Sequence, residues 1–268
     1  MVRRRAKRRD AFKSFFNNYL VKSKKSYTPQ NIGELKSDYD LFISGSDQVW
    51  SPRCVGFDPA YFLTFADDRQ KYSYAASFAI PTLPDEFIDE YKKRLNGFQK
   101  FSVREPSGEK LVKELTGRTA ETHLDPTLLI SADEWKKIAV SKIDKPYILI
   151  FTANPAVSLV DFALKLSKEK NLPVYCINDA PHPVNHGINY IVAPTVEEFV
   201  GCFKNAEYVV TNSFHGTAFS VIFNKNLFVE FKNKSGRNIR SEGLLKSLGI
   251  DREIVDGNCR ETENKLVR

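Results

Sequence analysis

Two kinds of hydrophobic pattern alternate along the chain. Short apolar runs rich in β-branched and aromatic residues predict strands at residues 40–44, 71–78, 101–104, 147–152, 174–177, 190–192, 208–211 and 227–231. Between them, apolar residues at helical spacing predict helices at residues 107–115, 132–140, 156–170, 196–203, 214–223 and 242–248. Because strands that alternate with helices form parallel sheets through right-handed crossovers, the pattern predicts an α/β fold.

The alternation pauses at residues 141–146, a polar stretch that precedes a new strand. We interpret this stretch as a linker, and we expect two Rossmann-like domains, residues 1–140 and residues 141–268. In open parallel sheets, ligands bind beyond the carboxyl ends of the strands. The polar residues that directly follow the predicted strands are therefore the candidates for function.

The composition fits a folded protein, because 42% of the 268 residues are hydrophobic. No apolar run approaches the roughly 20 residues that span a bilayer, so we expect a cytoplasmic protein. The cysteines lie far apart and at no metal-ligand spacing; they are Cys54, Cys176, Cys202 and Cys259. We therefore expect neither a structural zinc site nor a disulfide framework.

The N-terminus is strongly basic. Six of its residues supply six of the net charge of +7, so the remainder carries a net charge of only about +1; they are Arg3, Arg4, Arg5, Lys7, Arg8 and Arg9. Three interpretations stay open: a solvated helix face, a peripheral contact with anionic lipid or a lipid-linked substrate at the inner membrane face, and an arm for nucleic acid. Because the rest of the chain is nearly neutral, we expect no nucleic-acid partner.

A Gly-Ser-Asp-Gln loop follows the first predicted strand. Gly45 allows the backbone to approach a ligand closely, and Ser46, Asp47 and Gln48 offer hydrogen bonds. The same spacing suits an ordinary turn in which Asp47 caps the next segment. A substrate-binding loop and a structural turn are both open interpretations.

Arg104 ends another predicted strand, and Pro106 and Ser107 open the helix that follows. A guanidinium in that position can bind a carboxylate or phosphate with two N–H groups, while the helix N-terminus adds partial positive charge. An ion pair with Glu105 or a neighbouring acid is the alternative.

The segment 206–231 is the richest in candidate chemistry. A strand ends at Thr211, and a polar array starts the next helix: Asn212, Ser213, His215, Gly216 and Thr217. An imidazole at a helix N-terminus can act as a general acid or bind an anion. A structural histidine is the alternative, but the small and polar neighbours favour a functional one.

A basic loop, residues 232–240, includes Arg240 among Asn, Ser and Gly residues. Such a loop suits closure over a phosphate or a solvated turn.

Several of these segments occur together and in one order: ISGSDQVW, YAASF, SVREPSG, LDPTLLI and NSFHGTAFS. Over residues 40 to about 252 the chain resembles the polysaccharide pyruvyl transferase family of bacterial surface-glycan and exopolysaccharide pathways. The resemblance implies two Rossmann-like domains facing a cleft, as in GT-B glycosyltransferases, with the acceptor on the side of residues 1–140 and the donor on the side of residues 141–268. It also implies an N-terminal domain without the family's first strand–helix unit. It implies phosphoenolpyruvate as donor, a saccharide or lipid-linked saccharide as acceptor, a ketal product, and no cofactor or metal.

The resemblance also implies roles for individual residues. His215 corresponds to the family's catalytic histidine, and Arg104 to the arginine of its Arg-acid-x-Ser motif. Better-studied members have an arginine where this chain has Ser213, so Lys225 or Arg240 would supply that cation. His215 would protonate the methylene carbon of phosphoenolpyruvate, one sugar hydroxyl would attack the resulting centre, and a second hydroxyl would displace phosphate.

Two other functions stay open. A glycosyltransferase that uses a nucleotide sugar would share the architecture and the anion-binding helix. A non-catalytic, truncated glycan-binding relative would share the fold without the activity. Protection against heat by phosphoenolpyruvate, but not by nucleotide sugars, would favour pyruvyl transfer.

Overall fold

The computed structural model describes residues 2–54, 58–153, 156–177, 187–231 and 239–250. The helices are α1 (Val2–Tyr19), α2 (Ile88–Leu95), α3 (Pro106–Thr116), α4 (Ala132–Ile138), α5 (Val157–Lys170), α6 (Val196–Asn205), α7 (Phe214–Ile222) and α8 (Ile239–Ser247). The strands are β1 (Phe42–Ser44), β2 (Lys71–Ser73), β3 (Ser102–Val103), β4 (Glu121–Thr122), β5 (Ile148–Phe151), β6 (Val174–Ile177), β7 (Ile188–Ile191), β8 (Tyr208–Thr211) and β9 (Asn226–Val229). Short 3-10 helices lie at Ile32–Ser37, Pro59–Phe62, Asp68–Gln70, Asp85–Phe87 and Pro126–Leu129. The parallel sheets and helices confirm the predicted α/β class.

The described residues form two compact units. The N-terminal unit contains Ser23–Leu129 together with α8. The C-terminal unit contains α1 together with Ile130–Phe231. A domain boundary at residues 141–146 stays a prediction.

The strands of the N-terminal unit are parallel. β1 pairs with β2, and β3 pairs with β4. Backbone hydrogen bonds join the two pairs: Ser73 N donates to the carbonyl of Lys100, and Arg104 N donates to the carbonyl of Ala76. The order along the sheet is therefore β1-β2-β3-β4, and the carboxyl ends of these strands lie along one edge.

Trp50 anchors the core of this unit. Its side chain is fully buried, with ring centroids 5.3 Å from those of Phe78 and Phe98. The backbone carbonyl of Trp50 accepts a hydrogen bond of 2.7 Å from the hydroxyl of Tyr91. Because Trp50 follows the Gly-Ser-Asp-Gln loop by two residues, burial of the indole fixes the end of that loop.

The sheet of the C-terminal unit has five parallel strands in the order β7-β6-β5-β8-β9. Ile148, Leu149 and Ile150 of β5 are fully buried, as expected for a central strand covered on both faces. The chain moves outward from β5 to β7 on one side and then returns to β8 on the other. The strand order therefore reverses between β5 and β8, the place where parallel sheets commonly bind ligands.

The differences from the sequence prediction have local causes. The strand predicted at residues 71–78 ends at Ser73, because the backbone leaves the extended conformation at Ala75, whose φ is +45°. β4 is absent from the prediction because Glu121 and Thr122 are exposed and carry no apolar signal. The amphipathic helix α2 is also absent from it, and this omission is an error of the sequence interpretation.

Two helical glycines provide a test of packing. A Cβ atom on Gly201 of α6 would lie 2.0 Å from the carbonyl oxygen of Val140, whereas one on Gly243 of α8 would lie 3.7 Å from Pro106 Cδ. We predict that Gly201→Ala lowers the free energy of unfolding by about 1–3 kcal/mol through overpacking. Gly243→Ala should raise it by about 0.5–1 kcal/mol through helix propensity. Urea unfolding of both variants checks the opposite signs, and equal effects would contradict the packing of α6.

Candidate functional site

Polar residues from three strand ends meet around Arg104 in the N-terminal unit. Arg104 Nη2 lies 2.9 Å from Asp125 Oδ2 and donates to Ser46 Oγ at 2.7 Å. Its Nη1 lies 3.3 Å from Asp47 Oδ1. The side chains of Arg104 and Asp125 are only 2% and 3% exposed, whereas that of Asp47 is 59% exposed. We call Ser46, Asp47, Arg104, Asp125 and Arg240 the arginine cluster.

Arg240 joins this cluster from α8, far along the chain. Its Nη1 lies 3.6 Å from Asp47 Oδ1, and its side chain is 13% exposed. Burial lowers the pKa of Arg240, and the positive charge of Arg104 lowers it further, while Asp47 and Glu105 act in the opposite direction. The structure therefore brings together the two arginines that the sequence analysis proposed as anion ligands. Residues 232–238 of the predicted basic loop lie outside the described residues.

Glu105 has a separate part in this arrangement. Its buried Oε1 accepts hydrogen bonds of 3.0 Å from Ser77 Oγ and from the backbone amides of Phe78 and Ala79. Burial raises the pKa of Glu105, and these hydrogen bonds and the nearby Arg240 and Arg104 oppose the shift. Glu105 thus fixes the loop that follows β2.

Sequence reasoning missed Asp125. This residue lies three positions after β4, and its Oδ1 accepts hydrogen bonds from Thr127 N at 3.0 Å and Thr127 Oγ1 at 2.7 Å. Its Oδ2 also accepts a bond of 3.0 Å from Ser46 Oγ. The Asp-Pro pair in LDPTLLI is a turn signal, but a turn signal does not reveal that Asp125 pairs with a distant arginine.

A pocket of about 480 Å³ lies beside the Gly-Ser-Asp-Gln loop, within the N-terminal unit. The residues that line it are Ile43, Ser44, Gly45, Ser46, Asp47, Gln48, Val49, Cys54, Ala60, Tyr61 and Leu63. Gly45 has φ of +120°, and a Cβ atom there would lie 2.2 Å from the carbonyl oxygen of Tyr74. All four predicted loop residues therefore line this pocket, and Gly45 is required by the close approach of Tyr74, which directly follows β2.

In the C-terminal unit, His215 lies in the first turn of α7, just beyond the carboxyl end of β8. Ser213 caps the helix: its Oγ accepts a hydrogen bond of 3.4 Å from Gly216 N. The hydroxyl of Thr217 donates to the carbonyl of Ser213 at 3.0 Å. A Cβ atom on Gly216 would lie 2.2 Å from Thr211 Oγ1, so this glycine allows α7 to start close to the sheet. Ser213, Gly216 and Thr217 thus fix the helix start that carries half-buried His215. Contact of these four residues with substrate stays a prediction.

Asn212 and Lys225 lie at opposite ends of α7. Asn212 Oδ1 accepts a hydrogen bond of 2.9 Å from Ala153 N, which ties together the loops that follow β8 and β5. Lys225 directly precedes β9, and its Nζ donates to the carbonyl of Lys204 at 2.6 Å. Burial, followed by the charge of Lys136, lowers the pKa of Lys225. Asn212 therefore lies at the end of α7 that carries His215, whereas Lys225 lies beyond the opposite end of the helix.

The fold and these residues define a class: an α/β protein with parallel sheets whose polar groups gather at the carboxyl ends of the strands. The family model of the polysaccharide pyruvyl transferases matches residues 2–229, and the chain belongs to this family of transferases. The sequence-based resemblance is thereby confirmed. No curated protein and no solved structure matches the chain.

Two absences apply to the described residues. No helix among them is long and apolar enough to cross a membrane. Within the same residues, no group of three or more His, Cys, Asp and Glu side chains is arranged to hold a metal ion.

The ion pair of Arg104 predicts a strong effect on stability. Asp125→Asn leaves the buried guanidinium with less compensating charge, so we expect the free energy of unfolding to fall by about 3–5 kcal/mol. Asp133→Asn is the matched control, because Asp133 is 85% exposed and pairs with Lys136 on the surface. The control should cost less than about 1 kcal/mol. Equal losses in urea unfolding would show that Asp125 does not stabilise Arg104.

Proposed function

We propose that this chain transfers a pyruvyl group from phosphoenolpyruvate to a saccharide of a bacterial surface glycan, with formation of a ketal. Membership of the polysaccharide pyruvyl transferase family is the observation that carries the proposal. We also propose that both units are Rossmann-like domains. The reversal of strand order between β5 and β8 supports this for the C-terminal unit.

In this proposal, His215 is the general acid. The reaction needs a proton donor for the methylene carbon of phosphoenolpyruvate, so that the adjacent carbon becomes electrophilic. A histidine is suited to this task near neutral pH. His215 is half-buried at the start of α7, close to the strand-order reversal, and the cap of Ser213 and the packing of Gly216 position its backbone. The imidazole then accepts a proton from the acceptor hydroxyl later in the cycle.

Arg240 and Arg104 supply positive charge for the carboxylate and phosphate of the donor in this proposal. Both guanidinium groups are largely buried and lie near Asp47, and Arg104 is also paired with Asp125. The charge of Arg104 lowers the pKa of Arg240, which indicates that the two cations repel each other. An anion bound close to both would relieve this repulsion, and interactions between charges are strong where water is excluded. No cofactor enters the proposed reaction.

His215→Gln tests the general acid. A general acid contributes about 10² to 10⁴ in rate, so we expect kcat to fall by that factor while heat protection by phosphoenolpyruvate persists. His123→Gln is the control, because His123 lies in the N-terminal unit and contacts Ser102 at 3.0 Å. Release of phosphate in the presence of a saccharide acceptor measures the rate.

Unchanged turnover in His215→Gln would remove His215 from the mechanism. Heat protection of the wild-type protein by nucleotide sugars, but not by phosphoenolpyruvate, would instead support a glycosyltransferase.

We also propose that α1 rests on an anionic membrane surface, where a lipid-linked saccharide would be found. Phe12, Phe16 and Tyr19 recur at helical spacing on α1, and each is between 44% and 47% exposed. Exposed lysines and arginines accompany them, namely Lys7, Arg8, Arg9 and Lys13. Aromatic residues next to basic residues are typical of helices that lie in the interface of anionic bilayers.

Sedimentation with lipid vesicles tests this contact. The protein should bind vesicles that contain phosphatidylglycerol and not vesicles of phosphatidylcholine alone, and high salt should weaken binding. The double variant Phe12→Ser/Phe16→Ser should lose most of the bound fraction. Leu129→Ser/Ile130→Ser replaces two comparably exposed apolar residues elsewhere and should retain it. Equal binding by both double variants would contradict the contact through α1.

A further inference from the structure

The pocket beside the Gly-Ser-Asp-Gln loop has two walls of different chemistry. One wall is the polar loop itself, with Ser46, Asp47 and Gln48. The other wall comes from the 3-10 helix Pro59–Phe62, which presents Tyr61. A pocket lined by both polar groups and an aromatic residue suits a molecule with a hydroxyl edge and an apolar face.

The aromatic wall has a fixed backbone and an exposed side chain. The carbonyl of Tyr61 accepts hydrogen bonds from Trp50 Nε1, at 3.2 Å, and from Ser44 Oγ. Asp58 caps the short helix, because its Oδ1 accepts a bond of 2.8 Å from Ala60 N. The side chain of Tyr61 is nevertheless 41% exposed. A ligand that stacks on this ring would therefore meet a surface whose backbone is already ordered, which lowers the entropic cost of binding.

The charge of the pocket argues against an anionic ligand. Among the described residues that line it, Asp47 is the carboxylate and no lysine or arginine is present. The guanidinium groups of Arg104 and Arg240 lie 3.3 and 3.6 Å from Asp47 Oδ1, but neither arginine belongs to the lining. The multiply charged phosphoenolpyruvate would gain no direct ion pair inside this pocket. A neutral polyol would find hydrogen-bond partners there.

The polar wall is suited to hydroxyl groups. Asp47 accepts hydrogen bonds, and the side-chain amide of Gln48 both donates and accepts them. The thiol of Cys54 lies 3.3 Å from Gln48 Oε1 and donates to it, which orients the amide. Ile43, Val49 and Leu63 add apolar surface, which matches the C–H faces of a pyranose ring.

We propose that this pocket binds the acceptor saccharide, with Tyr61 stacked on a sugar face and Asp47 and Gln48 bonded to its hydroxyl groups. The proposal rests on the proposed function in one respect, since a pyruvyl transferase needs a saccharide acceptor. It assigns the pocket to the acceptor and the arginine cluster behind Asp47 to the donor anion. Asp47 then lies where the two ligands approach each other.

Cys54 provides a reporter for this pocket. It lines the pocket and is exposed, whereas Cys176 and Cys202 are buried. Burial raises the pKa of Cys176 to about 11 and that of Cys202 to about 12, so both thiols react slowly. Alkylation by N-ethylmaleimide, followed peptide by peptide with mass spectrometry, therefore measures access to Cys54 separately from every other cysteine.

The experiment compares ligands and variants by the rate of Cys54 alkylation. Neutral methyl glycosides of glucose, galactose and mannose are the probes, with phosphoenolpyruvate as the anionic comparison. We expect at least one glycoside to slow alkylation saturably, and phosphoenolpyruvate to have no such effect. Tyr61→Ala should raise the glycoside concentration needed for half-maximal protection about tenfold. Tyr61→Phe should leave that concentration unchanged, because the ring supplies the stacking energy. Tyr39→Ala, which removes a 46% exposed ring elsewhere in the unit, should behave as wild type.

The outcomes separate this proposal from the proposed function. Protection by phosphoenolpyruvate alone, the absence of protection by any glycoside, or unchanged protection in Tyr61→Ala would overturn the acceptor pocket. Phosphate release from phosphoenolpyruvate is measured in parallel with the same glycosides. Glycoside protection without phosphate release would uphold the pocket and count against pyruvyl transfer. Phosphate release without glycoside protection would overturn the acceptor pocket and support pyruvyl transfer.

Discussion

The buried guanidinium of Arg104 is the constraint on which the N-terminal unit depends. An arginine stays charged in a protein interior, and burial of an uncompensated charge costs several kcal/mol. Asp125 and Ser46 must therefore lie within hydrogen-bond distance of Arg104, although they come from different loops. This requirement holds together the ends of β1, β3 and β4 in a unit whose strands are only two or three residues long.

The same constraint shapes the pocket. Asp47 contacts both Arg104 and Arg240 on one side and lines the pocket on the other. Arg104 and Arg240 balance the charge of Asp47 from outside the pocket, whose lining, as far as the chain is described, contains this carboxylate and no lysine or arginine. Glu105 orders the neighbouring loop after β2, because its carboxylate accepts hydrogen bonds from Ser77 and from two backbone amides. One ion-pair network thus yields two chemically different surfaces.

The sequence predicted what depends on local pattern and missed what depends on distant contacts. Continuous apolar runs located β6 and β8 to the residue, because both strands carry mostly buried side chains. β4 gave no such signal. The loop of Gly45 and the positions of Arg104 and His215 were predictable because each follows a strand. Asp125 pairs with Arg104, and Tyr61 lines the pocket together with residues 43–49. Because these contacts join distant segments, no pattern around Asp125 or Tyr61 reveals them.

The family resemblance implies an arginine at the position of Ser213. In the proposed mechanism another cation therefore has to take its place. The hydroxyl of Ser213 caps α7, a short-range task that a long guanidinium side chain is poorly suited to perform. Lys225 is half-buried, donates to the carbonyl of Lys204, and has its pKa lowered by burial and by Lys136. Arg240 instead lies beside Asp47, near a second arginine. Because a guanidinium binds carboxylate and phosphate with two N–H groups and keeps its charge, we propose Arg240 rather than Lys225 as the cation that binds the donor.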